Sequence, residues 1–507
     1  MIKLATIFQD GMMLQRGKEV RIWGETDRTQ SIEVYLDEEL WLNAQEIQVG
    51  KFSITLPARG VAENVTVTVK GSAGDDVVIR NVDIGEIWIA GGQSNMEFFL
   101  RYDAEGKKTI AEADDDHLRY YNVAQYAFDG EEKDGFKDES RWNKWFPYKP
   151  EYIETFSAVG LYFANQLREK LGVPVGIVGC NWGGTTASTW MDEKLLEEDP
   201  ELHIYIEDYA EKTKDLDLDT YLESNRVQRG SKSDLVDNIT RYMMEGSHKL
   251  LLKLMSPLIC SFPALPMGPC SENRPGGLYH SMVSKIAGFT CRGVIWYQGE
   301  SDDHHADLYA KLFSAMIGCW RRDWKDELPF LFVQLAPFRK WFAVTAMNYP
   351  TLRQQQELVS KTVPNTWMAS IMDVGMEFDI HPKNKRPVGE RLALLACGKI
   401  YGEDILCEAP ELEHAQRLDN SLILTFKHTG DGLMLSGKTL SAMEILADNS
   451  LVTDWKAEVS GSTVKLTAKK LKNAKKIQAR YAWDSYCKVN LFNSAKLPAK
   501  PFCVDID

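Results

Sequence analysis

The sequence lacks the features that mark several large classes of protein. It has no long uninterrupted apolar run, and its first twenty residues carry charges throughout instead of the apolar core of a signal peptide. The net charge of −14 disfavours nucleic acid or an anionic membrane as a partner, since both need a positive field. The nine cysteines are dispersed and form no CxxC pair, which is typical of free thiols in a reducing compartment. We therefore expect a cytoplasmic protein.

Internal repeats and low-complexity segments are also missing, so the organisation must be read from hydrophobic periodicity. Residues 1–83 hold short alternating stretches rich in Val, Ile and Tyr, which predict an N-terminal β-sandwich or jelly-roll module. Residues 84–407 alternate apolar strand-like runs with helical patterns, which predicts a parallel sheet with helices on both faces. The charged segment 195–250 interrupts this order and is predicted to be a helical insertion. Short alternating strands return in 408–507 and predict a second β module.

Glycine and polar residues follow successive predicted strands of the central sheet. Ligands of open α/β sheets bind beyond the carboxyl ends of the strands. The segments at these ends are GGQSNM at 91–96, NWGGTT at 181–186, QGESDD at 298–303 and DVGMEFDIHP at 373–382. Each has an ordinary structural explanation as a tight turn, a helix cap or a buried amide. Together they supply a serine, glycine-rich loops, an amide and an acid–histidine pair, which is the set that acyl transfer requires.

The same segments resemble the sequence blocks of a known family. The usual GxSxG nucleophile elbow is missing, because position 96 is Met. The blocks GGQSNM, WGGT, GVIWYQGES and DIHP followed by VGERLA are instead similar to those of the SGNH-type carbohydrate esterases, in particular the sialate O-acetylesterase family. The similarity extends from FQDGMMLQRGKEVRIWG near the start to RYAWDSYCKVNLFNSAKLPAKPF near the end. It implies an SGNH-hydrolase-like sheet flanked by the two β modules.

The resemblance implies a catalytic role for three residues. Ser94 matches the nucleophile, His381 the base and Asp379 the aspartate of the last block. The wider superfamily places its acid three residues before the histidine, a position that is Phe378 here. Side chains two residues apart face the same way in extended backbone, so Asp379 can still reach His381. The alternatives for orienting the imidazole are a backbone carbonyl, Glu377 and Asp373.

The resemblance also implies an oxyanion hole and a mechanism that needs no metal or organic cofactor. The expected donors are the Ser94 N–H, the N–H of Gly183 or Gly184, and the side-chain amide of Gln298. His381 would accept the Ser94 proton during attack on an acetyl carbonyl and then activate the water that hydrolyses the acyl-enzyme. Further residues are predicted to contact the substrate: Gln93, Asn95, Trp182, Glu300 and His280. Stacking of Trp182 or Trp190 on a sugar ring is weighed against core packing.

Histidines and aspartates cluster between positions 302 and 307, in a pattern that suggests a metal site. Adjacent residues rarely converge on one ion, and His305 is predicted to lie at a helix start. We therefore expect a solvated cap without a metal. The residues concerned are Asp302, Asp303, His304, His305 and Asp307.

Two classes of function are consistent with the sequence. The first is a carbohydrate O-acetylesterase, for which the resemblance favours O-acetylated sialic acid over acetylated xylo- or manno-oligosaccharides. A sialate carboxylate needs an arginine or a cluster of N–H donors, and the candidates are Arg101, Arg274 and Arg339. The second class is a non-catalytic carbohydrate-binding protein, which the joint presence of Ser94 and His381 disfavours. A homo-oligomer is compatible with either class.

Overall fold

The computed structural model describes residues 1–131, 141–230, 243–245 and 266–506. The predicted insertion at 195–250 therefore lies only partly within the described residues. Its described part is helical, as the sequence indicates. The eight cysteines in the described ranges are all free. None of the helices built from these residues combines the length and apolarity needed to cross a membrane.

The N-terminal segment forms antiparallel sheets of short strands. One sheet has the order β1-β3-β6, and in the other β4 pairs with both β5 and β7. Alternate side chains of β3 and β6 are buried, as expected for strands with one face on a core. The strands are β1 (Ile2–Leu4), β2 (Met13–Gln15), β3 (Val20–Thr26), β4 (Gln30–Leu36), β5 (Glu39–Ile47), β6 (Gly50–Leu56) and β7 (Ala62–Gly71).

The next strand, β8, joins the N-terminal sheets to the central sheet. It runs without interruption over Val77–Gly92 and is completely buried from Val82 onward. Its first half pairs antiparallel with β7, and its second half lies parallel between β11 (Val175–Asn181) and β12 (Gly293–Tyr297). The predicted boundary at 83/84 thus falls inside one continuous strand. The N-terminal sheets and the central sheet with its helices share one hydrophobic core.

The central sheet has the order β10-β9-β11-β8-β12-β13-β16 and is parallel except for its edge strand β10. Side chains of β8 alternate between its two faces. Trp88 packs against Phe163 of a helix on one face, whereas Gly91 faces the Trp296 ring of the neighbouring strand β12 and Trp320 of a second helix on the other face. Helices therefore cover both faces, as predicted. The remaining strands of this region are β9 (Asp115–Asn122), β10 (Trp145–Tyr148), β13 (Phe330–Val333), β14 (Lys340–Trp341), β15 (Val344–Thr345) and β16 (Thr366–Ala369).

The long helices between residues 84 and 407 lie where the sequence shows helical periodicity. α4 is capped at its start by Ser157, whose Oγ accepts the Gly160 N–H, and ends at Gly172, which has a φ of 62°. The helices are α1 (Ser94–Glu97), α2 (Gly106–Ala111), α3 (Pro150–Ile153), α4 (Ala158–Leu171), α5 (Lys194–Glu198), α6 (Ile204–Thr213), α7 (Leu218–Gly230), α8 (Ser284–Ile286), α9 (Tyr309–Trp324), α10 (Tyr349–Thr362) and α11 (Arg386–Lys399). Short 3-10 or π turns cover Leu100–Tyr102, Ala187–Trp190, Tyr279–Val283, Glu300–Leu308 and Lys469–Asn473.

The C-terminal segment forms two four-stranded antiparallel sheets around a second hydrophobic core. The first has the order β17-β18-β23-β22, the second β21-β20-β24-β26, and β19 pairs with β25. Arg353 of α10 is fully buried and donates hydrogen bonds to the carbonyls of Asp484 and Ser485, which joins this unit to the central sheet. The strands are β17 (Glu411–Leu418), β18 (Ser421–Lys427), β19 (Met434–Leu435), β20 (Met443–Ala447), β21 (Ser450–Leu451), β22 (Lys456–Ser460), β23 (Thr463–Thr467), β24 (Ile477–Tyr481), β25 (Leu491–Phe492) and β26 (Phe502–Ile506).

Candidate active site

Two glycines end the central strand because the neighbouring strand leaves no room for a side chain. A Cβ on Gly91 would lie 2.8 Å from the Trp296 ring. A Cβ on Gly92 would lie 2.2 Å from the carbonyl oxygen of Tyr297, and Gly92 also has a φ of 136°, which other residues rarely adopt. The chain then turns, and Ser94 is the first residue of α1. The turn holds the serine hydroxyl at the carboxyl edge of the sheet.

Ser94 and His381 meet across this edge. The Nε2 atom of His381 lies 3.0 Å from the Oγ of Ser94, although 287 positions separate the two residues. His381 is almost completely buried, and Trp341 packs edge-on against its ring with the centroids 4.9 Å apart. The contact has the length of a hydrogen bond between a nucleophile and its base.

Asp379 is the acid next to the imidazole. One carboxylate oxygen lies 3.7 Å from the Nδ1 atom of His381, and the same oxygen accepts the backbone N–H of His381 at 2.9 Å. The second oxygen pairs with the Lys383 ammonium at 3.0 Å. The buried Nδ1 has no hydrogen-bond partner among the described residues. A small shift of Asp379 is enough to give Nδ1–H an acceptor, which leaves Nε2 as the acceptor for the serine proton.

The two other acids considered for this role are engaged elsewhere. Glu377 pairs with the Nε of Arg339 at 3.1 Å. Asp373 receives two hydrogen bonds from the Arg391 guanidinium, at 2.6 and 2.7 Å. Among the three candidate carboxylates, the geometry therefore favours Asp379.

Burial controls the charge of the base. It lowers the pKa of His381 to about 4, although the Asp379 carboxylate acts in the opposite direction. The imidazole is therefore neutral at pH 7 and can accept a proton. Burial likewise lowers the pKa of Lys385 to about 7, and the charge of Lys385 adds to the lowering at His381.

Asn95 links the serine turn to the histidine loop. Its amide nitrogen donates to the carbonyl oxygen of Ile380, at 3.0 Å, and to a carboxylate oxygen of Glu300, at 2.5 Å. Its amide oxygen accepts from the Lys385 ammonium. Because Asn95 follows Ser94 and Ile380 precedes His381, this amide fixes the relative position of the two reactive side chains. With 1% of its surface exposed, Asn95 is placed as a structural link and not as the predicted substrate contact.

The two glycines predicted as alternative oxyanion donors differ in their position relative to Ser94. A Cβ on Gly183 would lie 3.2 Å from the Cβ of Ser94, whereas a Cβ on Gly184 would touch nothing within 4 Å. Gly183 is thus the glycine beside the nucleophile, and its N–H donates to the Glu97 carboxylate at 2.6 Å. Gly184 has a φ of 79°, so it provides the turn.

The structure does not support Gln298 as a donor to the oxyanion. The residue is fully buried, and its amide nitrogen donates to the Thr185 carbonyl at 3.2 Å and to Asp302 at 2.5 Å. Its amide oxygen accepts from the Tyr309 hydroxyl at 2.9 Å. Both N–H groups are therefore used within the protein. Gln298 holds the loops after β11 and β12 together.

The other residues predicted to contact the substrate lie in different places: in a supporting loop, beside the serine turn, or away from the Ser94–His381 pair. Gln93 is buried, donates to the Ser301 hydroxyl and accepts from nearby backbone N–H groups, so it organises the loop after β12. Trp182 is half-buried beside the serine turn, and its backbone N–H donates to the Gly92 carbonyl. His280 pairs with Glu193 at 2.6 Å and has no contact with the Ser94–His381 pair in the described part of the chain.

The structure favours core packing, one of the two roles considered for Trp190, and departs in part from the solvated cap expected at 302–307. Trp190 is completely buried and packs against Trp296, so it is a core residue. Asp302 and Asp303 point inward: Asp302 accepts from Gln298, and Asp303 caps the start of α10 through the backbone of Met347 and Asn348. The cap is therefore buried in part, because these acids satisfy loop amides. His305 instead pairs with Asp208 of the insertion helix α6, at 2.9 Å.

None of the three candidate arginines contacts Ser94 or His381 within the described residues. Arg101 donates to the Tyr102 hydroxyl and lies near Glu154, and Arg339 pairs with Glu377. Arg274 lies in the turn between Ser271 and Gly277. The cations that approach the imidazole are the two lysines of the same loop, Lys383 and Lys385.

Comparison with known proteins gives similarity to one group of carbohydrate esterases. Residues 270–396 match the model of the carbohydrate esterase family described as sialic acid-specific acetylesterase. Sialate O-acetylesterase from Mus musculus is 25% identical over 462 residues, which cover 84% of this chain and 79% of the relative. The Homo sapiens sialate O-acetylesterase is 24% identical over 464 residues, with 84% and 76% covered. The chain is similar in sequence to the sialate O-acetylesterases over most of its length. The predicted resemblance is thereby confirmed, and so is the class of carboxylic-ester hydrolase.

A solved structure extends the likeness to the whole fold. A carbohydrate acetylesterase from Xanthomonas citri is 28% identical, has a TM-score of 0.76 and aligns over 100% of both chains. The flanking β units are thus part of an architecture that the two proteins have in common.

Proposed function

We propose that the protein is a carbohydrate O-acetylesterase that removes acetyl groups from sugar hydroxyls through Ser94 and His381. The observation that carries the proposal is the 3.0 Å contact between the Ser94 hydroxyl and the neutral, buried imidazole of His381. His381 lies within residues 270–396, the segment that matches the acetylesterase family model, whereas Ser94 precedes that segment. The names of the relatives favour O-acetylated sialic acid as the substrate.

The first half of the reaction forms an acyl-enzyme. His381 Nε2 accepts the proton of Ser94 Oγ as the oxygen attacks the acetyl carbonyl carbon. Negative charge develops on the carbonyl oxygen, and N–H donors aimed at that oxygen lower the barrier. We assign this role to the backbone N–H of Ser94 and to that of Gly183, which must exchange its Glu97 partner for the substrate oxygen. The bond between the carbonyl carbon and the sugar oxygen then breaks, and the imidazolium gives its proton to the leaving sugar oxygen, which becomes a hydroxyl.

The second half hydrolyses the acetylated serine. The same imidazole takes a proton from water, the hydroxide attacks the acetyl carbonyl, and Ser94 recovers its proton as acetate leaves. Asp379 acts throughout by facing Nδ1, where it stabilises the imidazolium. A cytoplasmic location, expected from the cysteines, belongs to this proposal too.

The decisive experiment measures acetate release from O-acetylated sialic acid and from acetylated xylo-oligosaccharides, in parallel, by wild type and Ser94→Ala. We expect release from at least the sialate substrate and its loss in the variant. Release from the xylo-oligosaccharides alone would correct the substrate to the neutral sugars. Absence of release from both substrates, or release that Ser94→Ala leaves unchanged, would refute the esterase and support a carbohydrate-binding protein. Ser94→Cys is a matched variant that keeps the size of the side chain and retains a nucleophile.

A further inference from the structure

Three aromatic side chains lie around the histidine side of the site. We call Trp341, Phe342 and Phe378 the aromatic rim. Phe378 is 70% exposed, and Trp341 and Phe342 are half-buried. The first two rings come from the β14–β15 hairpin, and Phe378 comes from the turn that also carries Asp379. Sequence periodicity gives no indication of this cluster, since its members lie in two separate loops.

The two loops are held together by backbone hydrogen bonds. The N–H groups of Arg339 and Lys340 both donate to the Glu377 carbonyl at 3.1 Å, and the Arg339 guanidinium pairs with the Glu377 carboxylate at 3.1 Å. The hairpin closes through a bond of 3.0 Å from the Ala346 N–H to the Arg339 carbonyl. The rim is therefore anchored to the same turn that positions the acid of the candidate triad.

The rim begins at the catalytic imidazole. The Trp341 ring meets the His381 ring edge-on, with 4.9 Å between centroids, and Phe342 meets Trp341 at the same centroid distance. The Trp341 ring therefore contacts the imidazole that faces Ser94, and Phe342 contacts Trp341 in turn.

Trp341 packs in part against the main hydrophobic core, but core packing does not account for Phe342 and Phe378. Phe342 has a φ of 50°, a conformation that costs a bulky residue free energy, and its ring remains partly exposed. Phe378 exposes most of its surface to water at the tip of its turn. Both features are unfavourable in the free protein. Strain and exposed aromatic surface beside reactive groups are typical of a ligand site.

We propose that the aromatic rim is the platform for the sugar ring of the substrate, an inference that rests on the proposed function. The C–H face of a sugar ring is apolar and packs flat on an aromatic ring, while its hydroxyls turn to polar neighbours. Arg339 and Lys340 at the base of the hairpin supply such donors. The rim thus distinguishes acetylated sugars from small acetyl esters that carry no sugar.

The test compares two ester substrates of the same enzyme. Phe378→Ala and Phe342→Ala are assayed on the acetylated sugar that wild type hydrolyses and on p-nitrophenyl acetate, which lacks a sugar ring. Each variant is expected to raise KM for the sugar by about three- to tenfold and to leave p-nitrophenyl acetate within twofold of wild type. Leu418→Ala, which removes a side chain 66% exposed in the C-terminal unit, is the matched control and is expected to change neither.

The outcomes separate the rim from the esterase itself. Equal kinetics of the rim variants and wild type on the sugar would overturn the inference, and so would an equal loss on both esters. Failure of wild type on every ester would instead refute the proposed function. Trp341→Phe, compared with Trp341→Ala, adds a second measurement: the phenylalanine is expected to restore sugar binding in part, because a flat ring remains.

Discussion

Replacing Asp379 by Asn tests the assignment of the acid. Its carboxylate lies 3.7 Å from the Nδ1 of His381. At an effective dielectric constant of about 20, opposite unit charges at that 3.7 Å distance attract by about 4 kcal/mol. If the variant removes all of this attraction from the imidazolium in the transition state, the rate falls roughly a thousandfold. The Lys383 ammonium, 3.0 Å from the same carboxylate, already offsets part of this attraction. We therefore expect kcat/KM to fall by roughly 10²-fold, with 10³-fold as the limit.

Asn is the suitable replacement because its amide oxygen keeps an acceptor for the backbone N–H of His381. The assay is steady-state hydrolysis of p-nitrophenyl acetate, which needs no knowledge of the sugar. The controls are Glu377→Gln and Asp373→Asn. Both acids lie in the same loop as Asp379, but each pairs with an arginine. A loss below threefold in Asp379→Asn, or an equal loss in either control, would refute the assignment.

Three further predictions follow from the geometry. Burial lowers the pKa of His381 to about 4, and protonation of the imidazole removes the base. As the pH falls, kcat/KM should therefore decline near pH 4. A pH profile that declines near 6.5 would contradict this. Gly183→Ala should reduce kcat by about tenfold or more, since its Cβ would lie 3.2 Å from that of Ser94, whereas Gly184→Ala should cost only about 1 kcal/mol of stability; equal kcat values in the pair would disprove the placement. Arg353→Met should lower the free energy of unfolding by about 3–5 kcal/mol in urea titrations, since the buried guanidinium no longer donates to four carbonyl groups, those of Leu335, Ala336, Asp484 and Ser485. A loss below about 1 kcal/mol would show that water replaces the guanidinium.

The central strands and the long helices could be predicted because burial leaves a direct trace in the sequence. β11 and β12 are continuous apolar runs, buried on both faces, and α4 carries both its apolar stripe and its glycine cap. The edge strand β10 and its neighbour β9 leave no comparable trace, since β9 starts with charged, partly exposed residues. The continuity across 83/84 could not be seen either, because turn-type residues such as Asn81 and Gly85 stand inside the strand and suggest a break that the fold does not make.

The residues of the candidate site also fall into those that the sequence reveals and those that only the folded chain reveals. Ser94, His381 and the glycines stand in short motifs whose chemistry depends on local geometry, so the sequence suffices to find them. The direction of the Gln298 amide depends on Thr185 and Asp302, which approach it only in the folded chain. The aromatic rim depends on the pairing of two loops that are separate in the sequence. Tertiary packing decides these features, and periodicity carries no information about it.

The most direct test of the central claim is covalent labelling of the nucleophile. Wild type and His381→Ala are incubated with a serine-directed fluorophosphonate, and the adduct is located by peptide mass spectrometry. The account predicts one adduct per chain on Ser94 in wild type, and labelling slowed at least 100-fold in His381→Ala, since the base that activates the serine is lost. Labelling of another residue, or equal labelling rates in both proteins, would contradict the claim that His381 activates Ser94.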